Sequence, residues 1–319
     1  MTVAQNFVIL VLAICLSMLG IAQLGWTRDL LFTPIDGPGA LSTEIHGISN
    51  AGQIAGSFHD RLGTHGFMCS IICSSQSLNP LDLWFNGSKA ASTHIQGLTD
   101  DGHMAGFFAD MNGQNHGFVC GGLPITLTCR QIDVTINQVS ESSTMILGIY
   151  EKGTFVGSFR DGQSKIHGFL FQRERFENID IPQSVSTIVS AIDVRSTTNQ
   201  ATIAGFFVDS KFAVHGFVCQ LPVGPNCFIV FDVTLNGVPQ TMTQVTALNH
   251  DRLVGSFRDS EGNAHGFVCY LPLQSGCFVQ VDAYGGTNTE VLGINDLRQM
   301  VGRYQDVSGR QRAFITQTP

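Results

Sequence analysis

Residues 255–269 read GSFRDSEGNAHGFVC, and the chain repeats that phrase. It returns at 157 (GSFRDGQSKIHGFLF), at 106 (GFFADMNGQNHGFVC) and at 205 (GFFVDSKFAVHGFVC), shortened at 56 (GSFHDRLGTHGFMC) and degraded at 302 (GRYQDVSGRQRAFIT). The HGF triplets begin at His65, His116, His167, His215 and His265, with RAF at Arg312, so the unit is about 50 residues long.

Each unit contains strand-like runs. The first resembles TEIHGIS (43–49), TQVTALN (243–249) or TEVLGIN (289–295). The second resembles GQIAGSF (52–58), and the third is the HGFVC segment. A fourth short run carries an Asp, as in QIDV (131–134), NIDI (178–181), VFDV (230–233) and VQVDA (279–283). Period-2 alternation with β-branched and aromatic residues predicts strands, and SNAG (49–52), TDDG (99–102) and the D-x-x-G sequences predict the turns between them. Gly56, Gly106, Gly157, Gly205, Gly255 and Gly302 recur mid-strand, where glycine marks close approach of a neighbouring backbone.

Four strands per unit predict an all-β fold, a six-bladed β-propeller. LFTPID (31–36) is a fourth-type strand with no HGF before it, and RAFIT (312–316) is a third-type strand with no fourth-type run after it. Pairing the two closes the ring and leaves no open edge. An open row of six units would leave its terminal faces unburied.

Residues 7–22, FVILVLAICLSMLGIA, form one apolar run ending in small residues and read as a signal peptide spanning 1–22, followed by one propeller domain over 23–319. The segment 1–6 carries no Lys or Arg, so an uncleaved N-terminal anchor is the alternative. The expected location is secreted, extracellular or periplasmic, with no membrane contact beyond that segment. A net charge of −8, with no Lys/Arg run, leaves no footprint for nucleic acid.

Of nine cysteines, Cys15 falls in the apolar run, and the other eight suit an exported disulfide protein. The repeats favour Cys120 with Cys129, Cys219 with Cys227, Cys269 with Cys277, and Cys69 with Cys73. In the first three, one Cys ends a third strand and its partner begins the fourth. Unit three has lost both cysteines together, as paired residues would. Zinc is disfavoured, because the pairs sit on hairpins spread around the ring.

Asp60, Asp110, Asp161, Asp209, Asp259 and Asp306 precede the hairpin turn, and the five histidines follow it. They are placed to meet across each hairpin, with Asp306 facing Arg312. Arg donates but serves neither as metal ligand nor as base, so the repeated pair reads as scaffold.

The pattern T-x-[IV]-x-[GA]-[IL]-N, G-x-[IV]-[VA]-G-x-F, D-x-x-G-x-x-H-[GA]-F resembles the HAF-repeat family of extracellular bacterial proteins, over nearly all of 31–316. Five copies here read HGF, and only Ala313-Phe314 keeps the family's Ala-Phe. The resemblance implies export and a repeat-built β architecture, and brings no catalytic residues.

Function is sought where the copies differ, at the opening of each first strand near one mouth of the channel. Unit one has Glu44 and His46, unit two His94 and Gln96, unit five Gln244 and Thr246, unit six Glu290 and Leu292. Units three and four are mainly apolar, with Met145, Leu147, Ile188 and Ser190. The second strands bring His59, Arg160 and Arg258 to the same face. This polar sector predicts a binding module for an extracellular ligand, a glycan, peptide, protein or small molecule, in a protein expected to be monomeric. The alternatives are a polysaccharide lyase or hydrolase with His46 or His94 as base beside Glu44 or Glu290, a weakly indicated metal held by the same residues, or a structural surface protein with a solvated channel. No cofactor is indicated, since the chain has no P-loop, dinucleotide fingerprint, HExxH or G-x-S-x-G. Asn86-Gly-Ser88 is a glycosylation sequon, and His103 and His250 fall in turns of the opposite face.

Overall fold

The structure is a computed structural model that describes residues 30–70, 78–121, 127–136, 139–140, 142–151, 153–195, 200–224, 226–274 and 276–317. The segment read as a signal peptide, and Cys73 with it, lie outside the described residues.

Every described element is a strand, and the architecture is all-β and propeller-like. Unit five is representative. Thr241–Asn249 pairs antiparallel with Arg252–Arg258, that strand with Ala264–Tyr270, and that in turn with Phe278–Val281. Units two, three and four repeat this ladder. In unit one the fourth strand shrinks to a bridge between Gly66 and Leu81, which follows Asn79-Pro80. Proline lacks the N–H that a longer ladder needs. In unit six the fourth position is taken by Leu31–Ile35, antiparallel to Gln311–Gln317, with Leu31 opposite Gln317 and Ile35 opposite Ala313.

The repeat letters have physical roles. The Phe of each HGF or RAF triplet (Phe67, Phe118, Phe169, Phe217, Phe267 and Phe314) is fully buried in its unit's core. A Cβ on any of the six mid-strand glycines would strike the carbonyl oxygen of Glu44, His94, Met145, Ile188, Gln244 or Glu290 on the paired first strand. Every first strand carries a bulge two residues beyond that carbonyl, at His46, Gln96, Leu147, Ser190, Thr246 and Leu292.

A threonine staples each unit to the one before. Thr43, Thr93, Thr144, Thr187, Thr243 and Thr289 are buried, and each Oγ1 accepts a hydrogen bond from the backbone N–H that follows a fourth-strand Asp. For Thr43 that donor is Gly37, which continues the N-terminal strand. One core cluster joins Ile35 and Ile45 to Val301 and Ile315, so the first and last units share buried surface.

Disulfides join Cys120 to Cys129, Cys219 to Cys227 and Cys269 to Cys277, as the repeats predicted. Cys120 and Cys129 are direct cross-strand partners. Such bonds persist in oxidising compartments. Among the described residues no helix is long and apolar enough to cross a membrane.

Candidate functional site

The repeated Asp and His form part of the frame. His65 Nε2 lies 3.2 Å from Asp60 Oδ1 and its Nδ1 2.7 Å from Asp82 Oδ1. The same bridge recurs at Asp161–His167–Asp180 and Asp259–His265–Asp282, and more loosely at Asp110–His116–Asp133 and Asp209–His215–Asp232. The second partner is the fourth-strand Asp, so each ring ties three strands together. Each imidazole also packs within 5.4 Å of the second-strand Phe. In unit six, Arg312 bonds Asp36 through Nη2 at 2.7 Å and Nε at 3.1 Å. Its direct partner is therefore Asp36 rather than Asp306, because the N-terminal strand supplies the carboxylate that a fourth strand supplies elsewhere.

On the face where first strands begin, four of the sequence candidates come together around a residue the repeats did not single out, Arg303. Its Nη1 donates to Glu44 Oε2 at 2.8 Å, while Nη2 and Nε donate to Glu290 Oε2 at 2.7 and 3.0 Å. Glu44 Oε1 accepts from Ser57 Oγ at 3.1 Å, and that oxygen lies 3.5 Å from His94 Nδ1. His94 stacks on Phe107 with ring centroids 4.6 Å apart. His46 Nε2 is 3.5 Å from Glu44 Oε1, too poorly aligned to count as a hydrogen bond, and this buried nitrogen has no in-line partner. Arg303 occupies the position after the mid-strand glycine, where the other units carry Ser57, Phe107, Ser158, Phe206 and Ser256. That contrast between GRYQD and GSFRD was the available signal.

Burial alone would raise the Glu44 carboxyl, but His46, the Arg303 guanidinium and the Ser57 hydroxyl outweigh it and hold Glu44 well below the usual carboxylate range. Burial lowers the His94 pKa, against a smaller upward pull from Glu44.

The other candidates are placed differently. Arg160 and Arg258 each donate Nη1 to a carbonyl of their own hairpin turn, Ser164 and Gly262, and His59 Nδ1 lies 3.1 Å from Thr64 Oγ1. Gln96 and Gln244 are half-buried on their first strands. The bulge explains why the second variable position is not simply channel lining. Ser190 and Thr246 turn their hydroxyls onto the carbonyls of Val245 and Val291 in the next unit, both at 2.6 Å. On the opposite face His250 pairs with Asp296 at 2.9 Å and His103 with Asp101 at 2.9 Å. Among the described residues no group of three or more His, Cys, Asp or Glu is placed to hold a metal ion.

Beside the Arg303 cluster, between units five and six, lies a cleft of about 170 Å³ lined by Arg258, Asn288, Glu290, Arg303, Tyr304 and Gln305, among others. It is smaller than the ~300–1,000 Å³ typical of sites for drug-sized ligands.

No protein-family model matches the chain, and no curated protein does. Solved structures resemble it. AofleA from Arthrobotrys oligospora gives a TM-score of 0.48 at 9% identity, over 90% of this chain and 82% of that one. The β-propeller domain of the Trilobed protease from Pyrococcus furiosus gives 0.46 at 9%, over 87% and 96%. A prolyl endopeptidase gives 0.47 at 10% over 88% of this chain, which spans only 40% of that enzyme. At this level of similarity none of the three bears on function, and the architecture rests on its strand pairing.

Proposed function

We propose that the six repeats close into a six-bladed ring and that the protein is an exported, HAF-like binding module, recognising an extracellular ligand at the mouth built on Glu44, Arg303 and Glu290. The observation that carries this reading is the double clamp of Arg303 on two inner-strand carboxylates. General acid–base catalysis needs a group poised near the working pH. Glu44 is held far below it, with one oxygen on Arg303 and the other on Ser57, which argues against lyase or hydrolase chemistry at that carboxylate. A network already fixed in place loses little entropy when polar groups of a ligand dock on it. The three described disulfides favour an extracellular setting.

A glycan and peptide array probed with wild type, Arg303→Met and His94→Ala tests this, with melting curves confirming that the variants fold. Binding by wild type that Arg303→Met abolishes is the expected result. Binding equal in all three proteins would move the site elsewhere. Unsaturated products from a polyuronide, lost in His94→Ala, would restore the enzyme reading.

A further inference from the structure

We infer that the cleft between units five and six is a site for one neutral sugar ring presenting vicinal hydroxyls. This deepens the binding-module reading and rests on it.

The cleft lies at a boundary where, among the described residues, third and first strands lack a backbone bridge, an irregularity that units four and five share at Met242 (φ 51). Where unit one meets unit two, and unit three meets unit four, the start of the third strand is bridged to the next first strand by Thr64–Ser92 and Ile166–Ser186. At the boundary of units five and six the equivalent of Ser92 is Asn288, in the left-handed region at φ 51, and the ladder skips from Thr287 to Glu290. The Asn288 side chain takes over the bridge, Oδ1 accepting from Ala264 N at 3.0 Å while Nδ2 donates to Gln305 Oε1 at 2.8 Å. The connection is also short here. Hairpins Trp84–Phe85 with Ser88–Lys89, and Thr234–Leu235 with Val238–Pro239, lengthen the links from unit one to unit two and from unit four to unit five. The link from unit five to unit six is only the short stretch 282–286.

The polar atoms left over select the ligand. Gln305 spends its oxygen on Asn288, which leaves its Nε2 donor for the cleft. Both Arg303 bonds to Glu290 fall on Oε2, leaving Oε1 as an acceptor. Arg258 uses Nη1 on Gly262 and keeps Nη2 and Nε as donors. One strong acceptor beside two sets of donors matches adjacent hydroxyls, one donating to Glu290 and its neighbour accepting from Arg258 or Gln305. Tyr304 adds an aromatic wall for the C–H face of a ring. An anionic sugar fits less well, since it would face Glu290 while Arg303 is already shared by two carboxylates.

The test uses the full chain, saturation-transfer NMR and calorimetry, with the methyl α-glycosides of glucose, galactose, mannose and fucose as probes and glucuronate as the anionic comparison. At least one neutral glycoside is expected to bind more tightly than glucuronate. Arg258→Met and Glu290→Gln should each weaken it about tenfold or more, the loss of a hydrogen bond involving a charged group. Arg175→Met, on the outer strand of unit three, should leave it unchanged. Arg258 lies outside the Arg303 ion network, so its variant remains informative if Glu290→Gln is unstable. Glucuronate binding more tightly than every neutral probe, or Arg258→Met binding like wild type, would overturn the proposal. Silence from all five sugars, with an array signal that Arg303→Met still abolishes, refutes the cleft and leaves the mouth standing. Silence on the array as well refutes both.

Discussion

His265 and His94 are the same side chain put to opposite uses, and pH separates them. Both nitrogens of His265 face carboxylate oxygens, which only accept, so the ring is best held when both carry protons. Burial pulls its pKa down, but the bonds to Asp259 and Asp282 outweigh that and raise it. Gln280 and Phe257 complete its surroundings. A raised folded pKa means that the ring contributes full stability below the unfolded value of about 6.5 and loses it as pH climbs through the folded value. His94 is lowered by burial, with Ser57, Glu44, His46 and Phe107 around it, so its effect has the other sign. It costs nothing above about pH 6.5 and destabilises as acid forces a proton onto a buried ring. Two-dimensional NMR of the imidazoles should place the His265 midpoint above the free-histidine value of about 6.5 and the His94 midpoint below it. A reversed order would mean that the Asp–His–Asp bridge and the His94 stack are drawn wrongly.

Between elements, the recurrent buried threonines tie each unit to the one before. Thr144 is fully buried, and its Oγ1 satisfies Val134 N at 2.9 Å. Thr144→Val keeps the shape and orphans that buried N–H, so chemical denaturation should register a loss of about 1–3 kcal/mol. Thr135→Val, at an exposed position in the same linker, should fall within about 0.5 kcal/mol of wild type. Equal effects would show that the staple is not the link between neighbouring units. Much at this scale was legible from the chain alone. Strand alternation, the mid-strand glycines and the spacing of Cys120 and Cys129 are local patterns, and the structure repeats them faithfully. The bulges were not legible, because an extra residue at His46 or Thr246 leaves the apolar alternation on either side intact. The fourth-strand Asp as second partner of each His was missed for a related reason. It lies up to 17 residues away, across a strand pairing that no local pattern encodes. Arg303 sits in the most degraded copy, where a functional substitution and simple decay of the repeat look alike.

For the whole molecule the question is whether the first and last units support one another. On the face opposite the cleft, side chains link the units in sequence. His250 N donates to Asp193, His250 Nδ1 pairs with Asp296, and Asn50 bonds both Asp296 and Asp100. That chain of contacts passes from unit four through five, six and one to two, crossing the join between the chain's two ends. On the outer side the join depends on Leu31–Ile35, the Asp36–Arg312 pair and the Gly37–Thr43 bond. Deleting residues 30–37 removes all three and uncovers Ile315 and Val301 in the core shared with Ile45. In a closed ring the damage has to reach both neighbours of the join. Hydrogen exchange read by mass spectrometry should therefore show protection falling in Ser42–Ile48 and Gln53–His59 as well as in Met300–Gln305 and Gln311–Gln317, with unit three least affected. In an open row, only the last unit would lose its partner strand, and unit one would keep its protection. Loss confined to residues 287–317 would rule out the ring, and with it the side-by-side placement of Glu44 and Glu290 from which the proposed mouth is built.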